Sequence, residues 1–256
     1  MKAIIEIAGK KYRLDLAAPL DISLSLDAEK LGANCFYASP FSISPVISGD
    51  FVGSTQMGGL VNFMDVRLNP HGNGTHTECV GHISKEKRSI NQTLTQFHFL
   101  AKLITISPIE TKNGDLQIQK QQIAALFPSN EYFEAIIIRT LPNGKDKKTK
   151  NYSGMNPCYI DAESIGYIVE ELNIKHLLVD IPSVDPEQDE GRLAAHKRFW
   201  NYPQTLDTIK TITELIYVDN AIPDGEYLLN IQIASFEIDA SPSKPVIYEV
   251  FEVGEG

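Results

Sequence analysis

Residues 161–186, DAESIGYIVEELNIKHLLVDIPSVDP, decide the fold class. Asp161 is a good acceptor for the free amides of a helix start, and Ile165, Ile168, Val169 and Leu172 follow at helical spacing. Lys175 to Ile181 (KHLLVDI) then runs nearly unbroken in apolar residues, as a strand does when both of its faces are covered. A helix feeding such a strand predicts an α/β domain. The stretch Asp180-Ile181-Pro182-Ser183-Val184-Asp185-Pro186 falls at the end of that strand, where α/β proteins tend to place ligands.

Working outward, Tyr132 to Thr140 (YFEAIIIRT) predicts a second buried strand and Ile118 to Phe127 a short helix. Asn113-Gly114-Asp115 predicts a tight turn, and Phe97 to Ile106 another apolar segment. From Leu60 to Ile83 the pattern is strand, glycine-rich turn, strand, preceded by a long loop over 35–60 rich in Ser, Gly, Pro and aromatics. Residues 2–7 and 11–15 form a β-hairpin pattern around Ala8-Gly9-Lys10. On the C-terminal side, 190–201 and 204–217 read as helices separated by Pro203, followed by strands over 227–236 and 246–253. Without repeat, low-complexity segment or linker, the chain reads as one domain over 1–256. It divides into a hairpin and loop region (1–59), a core (60–235) and a C-terminal strand (236–256).

The composition is that of a soluble globular protein, 43% hydrophobic and 22% charged. A net charge of −10, from 33 acidic and 23 basic residues, argues against a nucleic-acid partner. The one basic run, Lys145 to Lys150, follows Pro142-Asn143-Gly144 and is expected to be a solvated loop tip. Cys35, Cys79 and Cys158 lack CxxC spacing, so neither a disulfide framework nor a zinc knuckle is expected. The N-terminal residues lack the apolar core of a signal peptide, and no apolar run nears the ~20 residues that span a bilayer. A cytoplasmic protein with no membrane partner is the expectation.

The chemistry concentrates in His71-Gly72-Asn73-Gly74-Thr75-His76-Thr77-Glu78-Cys79-Val80-Gly81-His82, which holds three of the six histidines. On an extended segment, alternate residues share a face, so His76, Glu78 and His82 point one way and Cys79 the other, as a structural residue. The Gly72-Asn73-Gly74 turn allows positive φ and can swing His71 to the same side. Imidazole with carboxylate suits zinc, manganese or iron(II), though polar residues on an exposed strand give the same pattern. His196 shares a helix face with Leu193 and Trp200, and by pattern alone a packed core histidine is the simpler reading. Glu214 falls opposite the apolar arc Leu206, Ile209, Ile212, Leu215 and Ile216 of its expected helix, which makes it solvent-exposed.

These blocks resemble the signature of the cyclase family, which includes bacterial kynurenine formamidases and isatin hydrolases. That signature reads His, one residue, Gly-Thr-His, one residue, Asp, three residues, His. A second block, Asp-Thr-Pro-Ser-Val-Asp-Pro, matches Asp180 to Pro186 but for Ile181. Leu193-Ala194-Ala195-His196 and Thr213-Glu214-Leu215, ahead of Asp219 to Gly225, resemble two further ligand-bearing segments. The likeness spans roughly residues 60–235. It implies a swivelling β/β/α-type single domain around a central mixed sheet and a centre of one or two divalent metal ions, zinc or manganese. His76 and Glu78, with His71, would hold the first ion. Glu78, His196 and Glu214 would hold a second, and His82 would act as general acid/base. The implied activity is hydrolysis of a C–N bond in a small-molecule amide, a formamide or cyclic imide, by a homodimer or homotetramer.

The chain departs from that signature at several points. Two residues, not one, separate His71 from Gly74; Glu78 stands for Asp; Val80 stands for Pro; extra residues fall near 110–150 and 198–208. Two other readings stay open at this level: a metal-dependent lyase or dehydratase, and a binding protein without turnover. Phe36, Tyr37, Phe41, Phe51 and Phe63 can wall an apolar pocket or belong to the core.

Overall fold

The computed structural model describes residues 1–127 and 131–254. Four parallel strands form its centre: His98–Ile106, Ala135–Thr140, His176–Val179 and Thr211–Glu214, in that spatial order. Antiparallel strands extend this sheet on both sides. His76–Glu78 and then Ala240–Pro242 lie beyond Thr211–Glu214. Gly225–Asn230, Val246–Glu249 and Leu20–Asp21 lie beyond His98–Ile106. The result is the expected α/β domain built on one nine-stranded mixed sheet.

Strand alternation divides the interior in two. Ile136, Ile138, Leu177 and Val179 point to one face, where Ile123, Phe127, Ile165, Ile168, Phe199 and Trp200 from the helical segments cover them. Ile137 and Leu178 point to the other, against Ile22, Ile90, Leu94, Phe99 and Leu229. Both faces are filled, which is why Ala135–Thr140 and His176–Val179 carry few polar residues. Asp161 caps its helix as expected, accepting from the Ser164 amide, and the helix widens over Tyr167–Glu171. The N-terminal hairpin pairs Lys2–Ile7 with Lys10–Asp15 through Ala8 and Gly9, both at positive φ, and Phe251–Glu252 adds a third strand.

Three expectations are overturned. Residues 204–217 are not a helix: Thr211–Glu214 is a fully buried strand between His176–Val179 and His76–Glu78. Its Thr-Ile-Thr run favours extended backbone, and the apparent helical arc was a coincidence of spacing, since Ile209 on that arc is exposed. Glu214 is accordingly buried, not solvent-facing. The Lys145–Lys150 run is not simply a solvated tip. Lys147 folds inward and donates to Asp180 Oδ2 at 2.8 Å and to both oxygens of Thr140. Finally, the strand expected over 227–236 stops at Asn230, and the separate strand Ala240–Pro242 was not anticipated.

The 35–60 loop is drawn out, with residue 67, into a two-stranded arm. Ser42–Pro45 pairs with Met64–Arg67, and Ile47–Ser48 with Phe51–Val52. Phe36, Tyr37, Phe51 and Phe63 are exposed, so they do not belong to the core. Among the described residues, no helix is long and apolar enough to cross a membrane.

Candidate metal centre

Pairing register assembles the site. His76 and Glu78 project from the same face of their short strand, and Glu214 lies directly opposite His76 in the neighbouring one. Its Oε2 stands 3.3 Å from His76 Nε2, while Oε1 accepts from the Val184 amide at 3.0 Å. Thr77, facing the other way, bonds Thr213 and fixes the pair of strands. Cys79 is buried in the second core, as a structural residue should be.

The extra residue after His71 is absorbed by an Asn69-centred turn. Asn69 Oδ1 accepts from the amides of His71 and Gly72, and Asn73 Oδ1 accepts from the Asn69 amide. Gly74 takes a left-handed φ of 64°, and Gly72 sits where a Cβ would lie 2.2 Å from that of Ala38. These two glycines let the chain double back, and His71 Nδ1 arrives 3.0 Å from Glu78 Oε2.

His196 enters from the helix Ala194–Phe199, which is tethered by Asp185. That carboxylate accepts from the Ala195 and His196 amides and from His196 Nδ1. The free Nε2 points at Glu78 Oε1, 3.2 Å away, and at Glu214 Oε1, 3.9 Å away. His82 follows on the turn Val80–His82, a third exposed, with its ring centroid 4.3 Å from that of His71. Its Nδ1 is 3.5 Å from Asp239 and 3.8 Å from Glu78.

Three histidines share one arrangement. His71 Nε2 bonds Asp239 Oδ2 at 2.7 Å, His196 Nδ1 bonds Asp185 Oδ2 at 2.5 Å, and His76 Nδ1 bonds the Gly74 carbonyl at 3.2 Å. In each, an acceptor outside the cluster holds the ring N–H and leaves the other nitrogen's lone pair facing inward. His76 Nε2, His196 Nε2 and both oxygens of Glu78 are buried there without a hydrogen-bond partner among the described residues. Buried polar atoms normally find partners, and leaving one bare costs about 1–3 kcal/mol, more for a charged group. Four such atoms converging on one point is what a cation-binding pocket requires, and imidazole with carboxylate suits a divalent transition metal.

The charges agree. Burial alone would lower the His71 and His196 pKa values, but the bonds to Asp239 and Glu78, and to Asp185 and Glu78, outweigh it and hold each up at about 10. Burial pushes Glu78 upward, yet the charges and bonds of His82, His196 and His71 hold it well below the usual carboxylate range. The cluster therefore draws in positive charge, and a cation entering it would displace protons.

All the expected residues, His71, His76, Glu78, His82, His196 and Glu214, meet in this one place. The donor groups closing within 4.8 Å are His71–His76–Glu78, Glu78–His82–His196 and His71–His82–Asp239. Glu214 reaches two histidines but completes none of these groups, and His82 comes as near to Glu78 as a ligand does. Sequence reasoning missed Asp239 altogether, and treated Asp185 only as part of a motif. Asp239 arrives on the unanticipated edge strand, far along the chain from His71, and no local pattern marks it.

Residues 14–186 match the model of the family described as "Putative cyclase". The chain belongs to the Cyclase family. Over 82% of its length it is 28% identical to a kynurenine formamidase of Bacillus thuringiensis (strain Al Hakam), covering 88% of that protein. A kynurenine formamidase of Bacillus anthracis is 26% identical over the same shares. Among solved structures, isatin hydrolase A from Labrenzia aggregata superposes with a TM-score of 0.65 at 14% identity, over 90% of this chain and 93% of that one. A predicted metal-dependent hydrolase from Bacillus stearothermophilus gives a TM-score of 0.62 at 14% identity, over 90% and 98%. At such identities the structural likeness speaks to the cyclase fold alone.

Proposed function

We propose that this cyclase-family chain is a metal-dependent hydrolase that cleaves the C–N bond of a small amide, a formamide or a cyclic amide or imide. The observation that carries the reading is the set of buried, unpartnered donor atoms of His76, Glu78 and His196, with the half-exposed His82 at their rim. The relatives named kynurenine formamidase and isatin hydrolase support the substrate class.

His71, His76 and Glu78 would hold one divalent ion, zinc or manganese. Glu78, His196 and Glu214 would hold a second, with Glu78 between them and Glu214 the weaker member on geometry. An ion bound there lowers the pKa of a water molecule and polarises a carbonyl.

The protein's own groups supply the rest. Asp185 and Asp239 hold two imidazoles in the tautomer that aims a lone pair inward, so no reorientation is needed when the site fills. Glu78 and Glu214 keep the floor of the site negative. His82 faces Glu78 and Asp239 through Nδ1, leaving Nε2 toward the open side of the cluster. From there it can take a proton from the attacking water and return it to the departing nitrogen, a task for a group that titrates near neutrality. Partial exposure of His71, His82 and Asp239 marks the side from which a substrate enters.

The test is hydrolysis of an N-formyl aromatic amine and of a cyclic imide by protein supplied with zinc or manganese. Release of formate or ring-opened acid that stops on adding a chelator supports the reading. Tight metal binding with no turnover on an amide and ester panel would transfer the chain to the non-catalytic readings.

A further inference from the structure

The arm formed by residues 42–67 is bare. It contributes no residue to any of the three hydrophobic cores. All four residues of Met64–Arg67 are exposed, as are Ser42, Ile43 and Ser44 opposite them, so neither face of this two-stranded ribbon is covered. Leu60 is 97% exposed, and Ile43, Ile47, Phe51, Met57, Val61, Phe63 and Val66 are exposed with it. The arm's backbone is nonetheless well ordered by its own bonds, including Val46 to Phe63, Gly53 to Val46 and Gly59 to Ser54. A lone two-stranded ribbon is marginal in water, and an apolar patch of this extent marks a contact surface.

Charge selects what covers it. The chain carries −10 overall, but the arm has only Asp50, Asp65 and Arg67. A foreign partner drawn to so acidic a protein would be basic and would land where carboxylates cluster, which is not here. Two copies of the chain repel each other over most of their surfaces and can approach only at a nearly neutral face. The arm is that face. At about 26 residues it also matches the roughly 20–30 residues that each side of a stable interface uses.

We propose that the arm is a self-association surface: residues 42–67 of one chain pack against the same residues of a second copy about a twofold axis, burying Ile43, Leu60, Phe63 and Val66. A symmetric contact of this kind places each apolar side chain near its own counterpart and pairs free strand edges that would otherwise be exposed.

The test is the solution mass of the full chain by light scattering across a dilution series, combined with hydrogen exchange. The expected mass at micromolar concentration is twice 28.5 kDa. Ile43 and Val66 are cross-strand partners. The double variant Ile43→Lys, Val66→Glu therefore places opposite charges side by side, which preserves the hairpin while removing its apolar face. It is expected to weaken association at least tenfold with metal content unchanged. In the unmodified protein, amides of 42–67 are expected to exchange more slowly at high than at low concentration, a readout independent of any variant. A monomer at all concentrations, a dimer indifferent to the double variant, or arm exchange that does not depend on concentration would each overturn the proposal. The first of these would leave the arm to a partner of another kind.

Discussion

Replacing Asp239 tests whether the imidazoles are held in place from outside the cluster. Its carboxylate lies 2.7 Å from His71 Nε2 and 3.5 Å from His82 Nδ1, and it belongs to a strand that joins the sheet only through His76–Glu78. Removing it in Asp239→Ala frees His71 to rotate and to carry its proton on Nδ1, the nitrogen that faces Glu78. A hydrogen bond between charged groups is worth about 1.5–3 kcal/mol, which corresponds to roughly 10- to 150-fold in an equilibrium constant. Losing the partner of a metal-bound histidine typically costs 10–100-fold in metal affinity, so the two routes agree. Asp239→Asn keeps an acceptor oxygen without the charge and is expected to fall between. Competition titration of zinc against a chromophoric chelator, at fixed pH, measures the change directly. Equal affinity in the Ala variant and the unmodified protein would refute the argument, because His71 would then be positioned by something other than Asp239.

Other consequences follow from the same geometry. His82→Ala is expected to keep its metal but lose about 10²–10⁴-fold in kcat, the usual worth of a positioned acid/base; full activity in that variant removes His82 from the proton transfer. His176 is buried, bonded to Thr211 and packed on Phe99, and burial with the nearby Lys175 charge lowers its pKa to about 3. The unfolded chain takes up that proton near pH 6.5, so the stability contributed by neutral His176 is complete above that value and lost as pH falls toward 3. Between pH 7 and pH 5 this amounts to about 2 kcal/mol, visible in urea unfolding, and His176→Gln should flatten the slope by that amount. Gly72→Ala brings a Cβ to 2.2 Å from that of Ala38, an overlap expected to cost about 1–3 kcal/mol and to weaken metal binding through His71. A thermal midpoint unchanged in that variant would show that the turn can yield.

The sequence carried what short-range periodicity and turn chemistry encode. Asp161 capped the helix it was expected to cap, Lys175 to Ile181 became a central strand, and Ala8-Gly9 closed a hairpin. His76 and Glu78 were placed on one face because strand alternation is a local rule. What escaped was set by tertiary pairing. Thr211–Glu214 mimicked a helix over its flanking residues, and only the vacancy between two buried strands decides otherwise, which is also what brings Glu214 to His76. The family resemblance reached Glu214 where periodicity argued against it. Asp239 and Lys147 were invisible for a similar reason. Each is an unremarkable charged residue in a polar stretch until a distant partner, His71 or Asp180, is folded against it. The bare arm was read as a loop with short strands, and its lack of cover could not be read from a pattern that leaves burial undefined.

The central claim is that the unpartnered atoms around Glu78 exist to bind a cation. Elemental analysis of metal per chain, on protein purified without an affinity tag or chelator, tests it most directly, with Glu78→Ala as the paired sample. The account predicts one or two equivalents of zinc or manganese in the unmodified protein and a loss of that metal in the variant. No metal in the unmodified protein, even after incubation with zinc and with manganese, would contradict it.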